Sequence, residues 1–443
     1  MELKKDAQNI FNRLKTQLND TILTVRKESV QHVKFSNSKI NTVKNWNTYK
    51  IGIFGALGNQ VVFNEIRDTT INPDAIAHTL VQLAKVSAEN KDYHGIAKGP
   101  FAYKQVAETY DKKIEFLGNK IFDLTEKGIN AALKEGAARV AGVMETCSSE
   151  TLLLTSGSIE VKEKETYAYF SLRAFKEKDA SGHNLSVSCT LNKLDVVSAA
   201  TRAARTAVLA RSPVHGIPGK FDVLFDPLPF ANLLEMVGNS ASIFNVESGL
   251  SFFQNSLNKK VAASLVTIYD NGRLNNGLGS GICDDEGVPT QATPVIQEGI
   301  FRNYLHNTST AKKYGVKSTG NAGLIAPEPT TTILEPGKEQ VERMMEGIRK
   351  GIYVTNVWYT RAQNMMTGDF STIPRDGIFS IENGKIKHAI KNIRISENMV
   401  HILQNIVARA NNSEQIRGWE VEHPVVTPSV MVKALNITRP LEI

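Results

Sequence analysis

Val161, Glu163, Glu165, Tyr167 and Tyr169 occupy every second position of the stretch Gly157–Arg173. Residues two apart share one face of a strand, so this run commits the chain to a sheet with a polar face. An antiparallel sheet with water on that side is the expectation. Shorter strand-like stretches precede it at Ile22–Phe35, Ile40–Trp46, Lys50–Gly55 and Gln60–Arg67, separated by turns such as Ser36-Asn37-Ser38 and Gly58-Asn59. Helical periodicity is found at Asp6–Gln17, Ala75–Glu89, Asn119–Lys134 and Lys193–Leu209.

These elements predict an α+β chain in three parts. Residues 1–110 form an N-terminal α+β domain, and residues 111–212 a middle α+β region packing with it. Strands around Ala138–Glu145, Glu150–Thr155 and Leu185–Thr190 belong to the middle region. A linker follows at Ser212-Pro-Val-His-Gly-Ile-Pro-Gly219. Residues 213–443 then read as a strand-rich C-terminal domain, with strands at Phe221–Phe225, Ala263–Tyr269, Ile300–Leu305, Thr330–Leu334, Gly351–Tyr359, Gly377–Glu382 and Val430–Ala434. After a turn at Pro227–Pro229 it has helices at Phe230–Val237, Lys338–Arg349 and Glu397–Ala408. A chain of 443 residues is long enough for two or three such units, since single cores stop growing near ~250–300 residues.

Composition narrows the function classes. Hydrophobic residues make up 41% and charged residues 22%, an ordinary globular balance with no apolar run of membrane-helix length. Met1-Glu2-Leu3-Lys4-Lys5-Asp6 leads into an amphipathic helix pattern rather than a signal-peptide core, so a cytoplasmic, membrane-free protein is expected. Cys147, Cys189 and Cys283 are too few and too scattered for a disulfide framework or a metal knuckle. The net charge of +7 sits at the front: residues 1–50 hold ten Lys/Arg against four Asp/Glu, leaving 42 against 41 in the rest. Lys34, Lys39, Lys44 and Lys50 lie in strand-like sequence, where they can blunt an exposed edge, and no nucleic-acid reading motif accompanies them.

The densest chemistry lies between Asn271 and Gly323. Gly277, Gly279 and Gly281 let the backbone approach another chain closely. Cys283-Asp284-Asp285-Glu286-Gly287-Val288-Pro289 follows, and Ser318-Thr-Gly-Asn321-Ala-Gly323 comes later. Three adjacent carboxylates invite a cation, but a calcium loop spreads its ligands over about a dozen residues. A twisted strand ending in a capped turn accounts for the same spacing.

Asp284-Asp-Glu-Gly-Val-Pro-Thr-Gln291, Glu298–His306, Ser318–Ala322, Gly368-Asp369-Phe370-Ser371 and Ile381-Glu-Asn-Gly-Lys-Ile386 together resemble the signature of the TldD/PmbA (TldD/TldE) family. The resemblance covers nearly the whole chain and implies a TldD/PmbA-like fold. It also implies a cytosolic metallopeptidase assembly that degrades unfolded peptides. Catalytic members carry a His-Glu-x-x-x-His helix and a distal cysteine around zinc, an arrangement that leaves one position open for water. The corresponding stretch here, Asp226–Ser240, keeps Glu235 but no histidine, and no cysteine follows Cys283. The nine histidines are scattered, with no two at ligand spacing; His306 alone falls in the family-like segment.

The resemblance therefore implies a PmbA/TldE-like subunit without metal, no catalytic residue and no cofactor of its own. Zinc would reside in a TldD-type partner, bound as a heterodimer, or the chain would pair with itself as a homodimer. Candidate peptide-groove residues are Asp284, Asp285, Glu286, Gly287, Asn321, Gly368, Asp369 and Phe370, with Glu235 marking the degenerate zinc helix. An independent homodimeric peptidase, or a regulator of the DNA gyrase modulator kind, stays open as the alternative. Asn383-Gly384 reads as a hairpin turn.

Overall fold

The computed structural model describes residues 3–67 and 72–439; Met1 and Glu2, where the N-terminal helix pattern opens, lie outside them. Strands β1 (Asp20–Ser36), β2 (Lys39–Leu57), β3 (Gln60–Ile66), β4 (Arg139–Thr155), β5 (Ile159–Glu177) and β6 (Ala180–Ser188) make one antiparallel sheet in the order β3-β2-β1-β4-β5-β6. β1 pairs with β4 from Ile22↔Thr155 to Phe35↔Gly142, so residues 20–66 and 139–188 share one sheet. Two interruptions expected from the sequence do not occur. Residues 47–49 and 146–149 are polar, yet each has a ladder partner on β1, and the pairing carries the strand through them.

Helices cover one face of this sheet. Leu3–Leu14 and Pro73–Val86 pack over Leu23, Val25, Ile51 and Ile53. Lys120–Lys134 and Val196–Leu209 pack over Phe35, Val140, Phe170 and Leu172, the second through the small side chains of Ala199, Ala200, Ala203, Ala204 and Ala207. The polar face of β5 is not open to water as the alternation suggested. Glu163, Glu165, Tyr167 and Tyr169 are half-buried, because the C-terminal part of the chain lies along them. Ile282 N–H donates to Glu163, Arg417 stacks over Tyr167, and Gly418 runs beside the Tyr169 hydroxyl.

Two sheets build the C-terminal part. A mixed sheet runs 357–364, 369–374, 394–398, 430–438, 219–225, 350–354, 378–382, 385–391, 214–215, with Ile406–Arg409 paired beside Val430–Thr438. The second runs 300–301, 292–297, 268–271, 332–334, 421–427, 414–418. Helix Pro227–Ala241 packs against strands of both and is apolar on nearly every side, as an enclosed helix must be. It starts at Pro227 and not at Phe230, because a proline loses no hydrogen bond in a first turn.

Other boundaries shift for local reasons. The Glu397–Ala408 region contains only a short helix, Met399–Gln404, capped by the Asn398 side chain and flanked by strands Arg394–Asn398 and Ile406–Arg409. Lys338–Arg349 shrinks to Val341–Glu346, and Gly351–Tyr359 breaks at Thr355-Asn356. Ala263–Tyr269 keeps only its end, as strand Ile268–Asn271. Asn383 and Gly384 both have positive φ (49° and 77°), as the hairpin between Ile378–Glu382 and Lys385–Lys391 requires. Among the described residues, no helix is long and apolar enough to cross a membrane.

Asp376 pins the two halves together. Its buried carboxylate accepts from Arg173 Nε (2.7 Å) and Ser181 Oγ (2.5 Å) of the N-terminal sheet and from Asn356 Nδ2 (3.0 Å). His183 completes the cluster between Ser171 and Asn356. Removing one partner of a buried pair leaves the other charge uncompensated, so Asp376→Ala should lower unfolding free energy by about 3 kcal/mol in urea melts. Asp179→Ala, which removes an exposed pair with Lys391, should leave the urea melt essentially unchanged.

Candidate functional site

The acidic turn packs against the N-terminal sheet, not in solvent. Ile22, Leu153, Ile159 and Val161 of that sheet form a small core with Ile96, Ala97 and Ile282, against which Cys283, Val288 and Leu324 pack. Asp284 is buried and organises the turn. Its Oδ1 accepts from the N–H groups of Glu286 (3.0 Å) and Val288 (2.8 Å), and its Oδ2 from Ala322 N–H (3.0 Å). Burial and the neighbouring Glu286 push its carboxyl upward, and the backbone donors from Ala322 and Val288 oppose that rise.

Glu286 is buried as well and reaches the start of helix Thr308–Tyr314, where Thr308 N–H donates to its Oε2 (3.2 Å). Burial raises its carboxyl to about 7, against the hydrogen bonds from Thr308 and the charge of Lys312. On β5, Glu163 is raised to about 7 by burial and by Glu165. Asp285 differs: its side chain reaches solvent, yet protein surrounds it closely enough to raise its carboxyl to about 6. Glu328 adds to the rise; Arg26 and Lys50 oppose it. Its backbone N–H donates to Ala322 O (2.9 Å), which ties Asp285 to the loop that also carries Leu324.

Gly287 takes φ 83°, donates to Asp284 O and accepts from the Tyr103 hydroxyl at 2.7 Å. A Cβ there would stand 2.6 Å from Ile159 Cγ2. Gly277, Gly279 and Gly281 lie in successive turns and not in a strand. Gly281 brings its backbone within 3.2 Å, measured from an added Cβ, of the Glu163 carboxylate.

Asn321 belongs to the same neighbourhood but is buried. Its Nδ2 donates to Asp270 Oδ2 (2.6 Å) and to Glu328 O (3.0 Å). Asp270 is a residue the sequence reading passed over. It gathers donors from Asn321, Thr330 and Thr331, and burial raises its carboxyl to about 6. The Asp270-Asn271-Gly272 turn was its one signal in sequence.

The second patch lies apart, on strand Asp369–Pro374 of the mixed sheet. Gly368 has φ 83° and faces the Phe252 ring. Asp369 accepts from Asn398 Nδ2 (2.8 Å) and Thr367 Oγ1 (2.5 Å), which hold it below the usual carboxylate range. Phe370 is fully buried in the C-terminal core, so its ring lines no groove. Asp284, Glu286 and Asn321 are likewise enclosed. Asp285 and Asp369 are the candidates that reach the surface.

The helix that the resemblance places at the family's zinc position, Pro227–Ala241, presents no ligand set for a zinc ion among its described residues. Phe230, Leu233, Leu234 and Val237 occupy its buried faces, and the Asn232 amide is bound to Glu420 O. Glu235 Oε1 accepts His423 N–H (2.7 Å), and burial with Glu422 and Glu420 nearby raises it to about 7. Among the described residues, no three His, Cys, Asp or Glu side chains gather to hold an ion. His306 is buried and bonded to Thr310, its imidazole lowered to about 4 by burial.

Comparison with known proteins fits this geometry. Residues 218–439 match the model of the PmbA/TldA metallopeptidase C-terminal domain. A Buchnera aphidicola protein described as a metalloprotease TldD homolog is 32% identical over 46% of this chain and 43% of its own length. A Haemophilus influenzae TldD homolog is 26% identical over 69% and 66%. The chain spans about half the length of the curated relatives it matches. TldE from Thermococcus kodakarensis has the same fold, with a TM-score of 0.86 at 19% identity over 98% of this chain and 100% of that one.

Two outcomes follow for the acidic turn. A Cβ at positive φ is strained by about 1–2 kcal/mol, so Gly287→Ala, which also meets Ile159, should destabilise by at least that in thermal melts. Glu286 is raised above its unfolded value, so the native state holds its proton longer. Its stabilising contribution is complete below about pH 4 and is lost as pH rises toward 7. Urea melts should show stability falling across that window, and Glu286→Gln should remove up to about 1.4 kcal/mol per pH unit of the slope.

Proposed function

The chain belongs to the PmbA/TldA metallopeptidase family, and from that premise we propose that it is the metal-free, non-catalytic partner of a zinc-bearing TldD-type subunit. One observation carries the reading. The helix at the zinc position is packed with apolar side chains, and its one carboxylate, Glu235, is bound by the backbone of the strand opposite. No hydrolytic step is assigned to this chain. Its role is to shape the chamber in which the partner cleaves unfolded peptides, with exposed Asp285 on the acidic turn and Asp369 on the second patch as contacts for the peptide.

The three free cysteines, two of them buried, support a reducing compartment and therefore a cytoplasmic assembly. The catalytic partner supplies the metal and the activated water.

Metal analysis of the purified chain, alone and mixed with a TldD-type protein from the same cell, tests this. The isolated chain should hold no zinc and cleave no peptide, and cleavage should appear on mixing. Zinc at one per chain together with hydrolysis by the chain alone would replace this reading with that of an independent homodimeric peptidase.

A further inference from the structure

The N-terminal sheet leaves one edge bare. β3 pairs with β2 only from Ile51 to Leu57, whereas β2 pairs with β1 without a break from Thr42 onward. Between Thr42 and Lys50 the outer side of β2 has no strand partner among the described residues. Its backbone N–H and C=O groups pointing away from β1 are therefore open. Residues 43–48 are exposed on both faces, with Val43 at 48% and Trp46 at 39%.

Edges of this kind are normally disabled by shortness, a bulge or a proline. Four edge strands of the C-terminal sheets show such devices. Strand Val357–Asn364 carries two register shifts and Tyr359 at φ 55°. Val214–His215 and Ile300–Phe301 are two residues long, and Glu414–Gly418 is short with a shift of its own. The β2 segment is neither short, bulged nor broken by proline; the one such device it carries is charge, in Lys44, which repels another basic edge but not an acidic strand. The one shift in its ladder lies by the turn, between Lys34 and Phe35.

Charge identifies the occupant. Lys44 lies within the bare segment, Lys39 just before it, and Lys34 on the adjacent strand; none has a carboxylate partner among the described residues, whereas Lys50 is held by Glu65. Lys44, Trp46, Thr48 and Lys50 share one face, the face of β1 that carries Arg26, Glu28 and His32. A second copy of this chain would bring the same lysines across the seam. We propose that the β2 edge takes an extended, acidic segment of another protein as an added strand. Main-chain bonds supply the grip, and carboxylates at alternate positions meet Lys39 and Lys44. This holds whether or not the chain carries metal.

Labelled peptides of alternating Glu and Val, about ten residues long, test the proposal by fluorescence polarisation with the full chain. They should bind, weakening as salt rises, and the Lys-for-Glu counterpart should bind at least about tenfold more weakly. N-methylation of one alternate set of peptide residues should abolish binding while methylation of the other set leaves it, the signature of pairing along one edge. The exposed double variant Lys39→Glu, Lys44→Glu should reverse the preference to the basic peptide. Equal binding of both peptides, or indifference to both methylation patterns, overturns it. So does a homodimer in light scattering that the double variant strengthens while no peptide binds.

Discussion

The Asp284 carboxylate holds together two segments far apart in sequence. Through Glu286 and Val288 it closes its own turn, and through Ala322 it fixes the loop that carries Leu324 onto the N-terminal sheet. A buried carboxylate is costly unless donors surround it, and here most of the donors are backbone N–H groups, which side-chain substitution cannot remove. The apolar cluster of Ile22, Ile159, Val161 and Ile282 forms around that point. Asp376 repeats the device farther along β5, where Arg173 and Ser181 reach across.

Much of this was legible where pattern and period agree. The β5 alternation, the Asn383-Gly384 hairpin and the helix that opens at Pro73-Asp74 follow from local chemistry that packing does not override. The strand breaks at 47–49 and 146–149 were misread because polarity argues for a turn only when no neighbouring strand claims the residues, and β1 claims both. The polar face of β5 is sheltered rather than wet. Period two reports which residues share a face, but water and a second domain accept Glu and Tyr alike.

The candidate site was legible in part. The acidic turn announced itself through three adjacent carboxylates before a glycine, and Gly287 does take the positive φ that such a turn needs. Burial was not readable: Asp284, Glu286, Asn321 and Phe370 are enclosed, which turns expected groove contacts into framework. Asp270 and Asp376 escaped notice because their partners lie dozens to hundreds of residues away. The zinc position is the reverse case. That residues 226–240 hold no histidine is visible in sequence; that the backbone of 422–423 binds Glu235 is visible only in the structure.

The pairing of β1 with β4 has a consequence for the order in which the chain can fold. Ile22 meets Thr155, so the first hairpin, complete at Leu57, is synthesised with its inner edge empty and stays so until β4, which begins only at Arg139, has emerged. Closing so long a loop adds little to the equilibrium cost but slows the search for partners. During that interval β1 exposes edges on a ribbon bearing Val30, Val33 and Phe35. The lysine-rich opening of the chain then acts in time as well as in space, since charge repulsion between nascent hairpins keeps them apart while β4 is still being made.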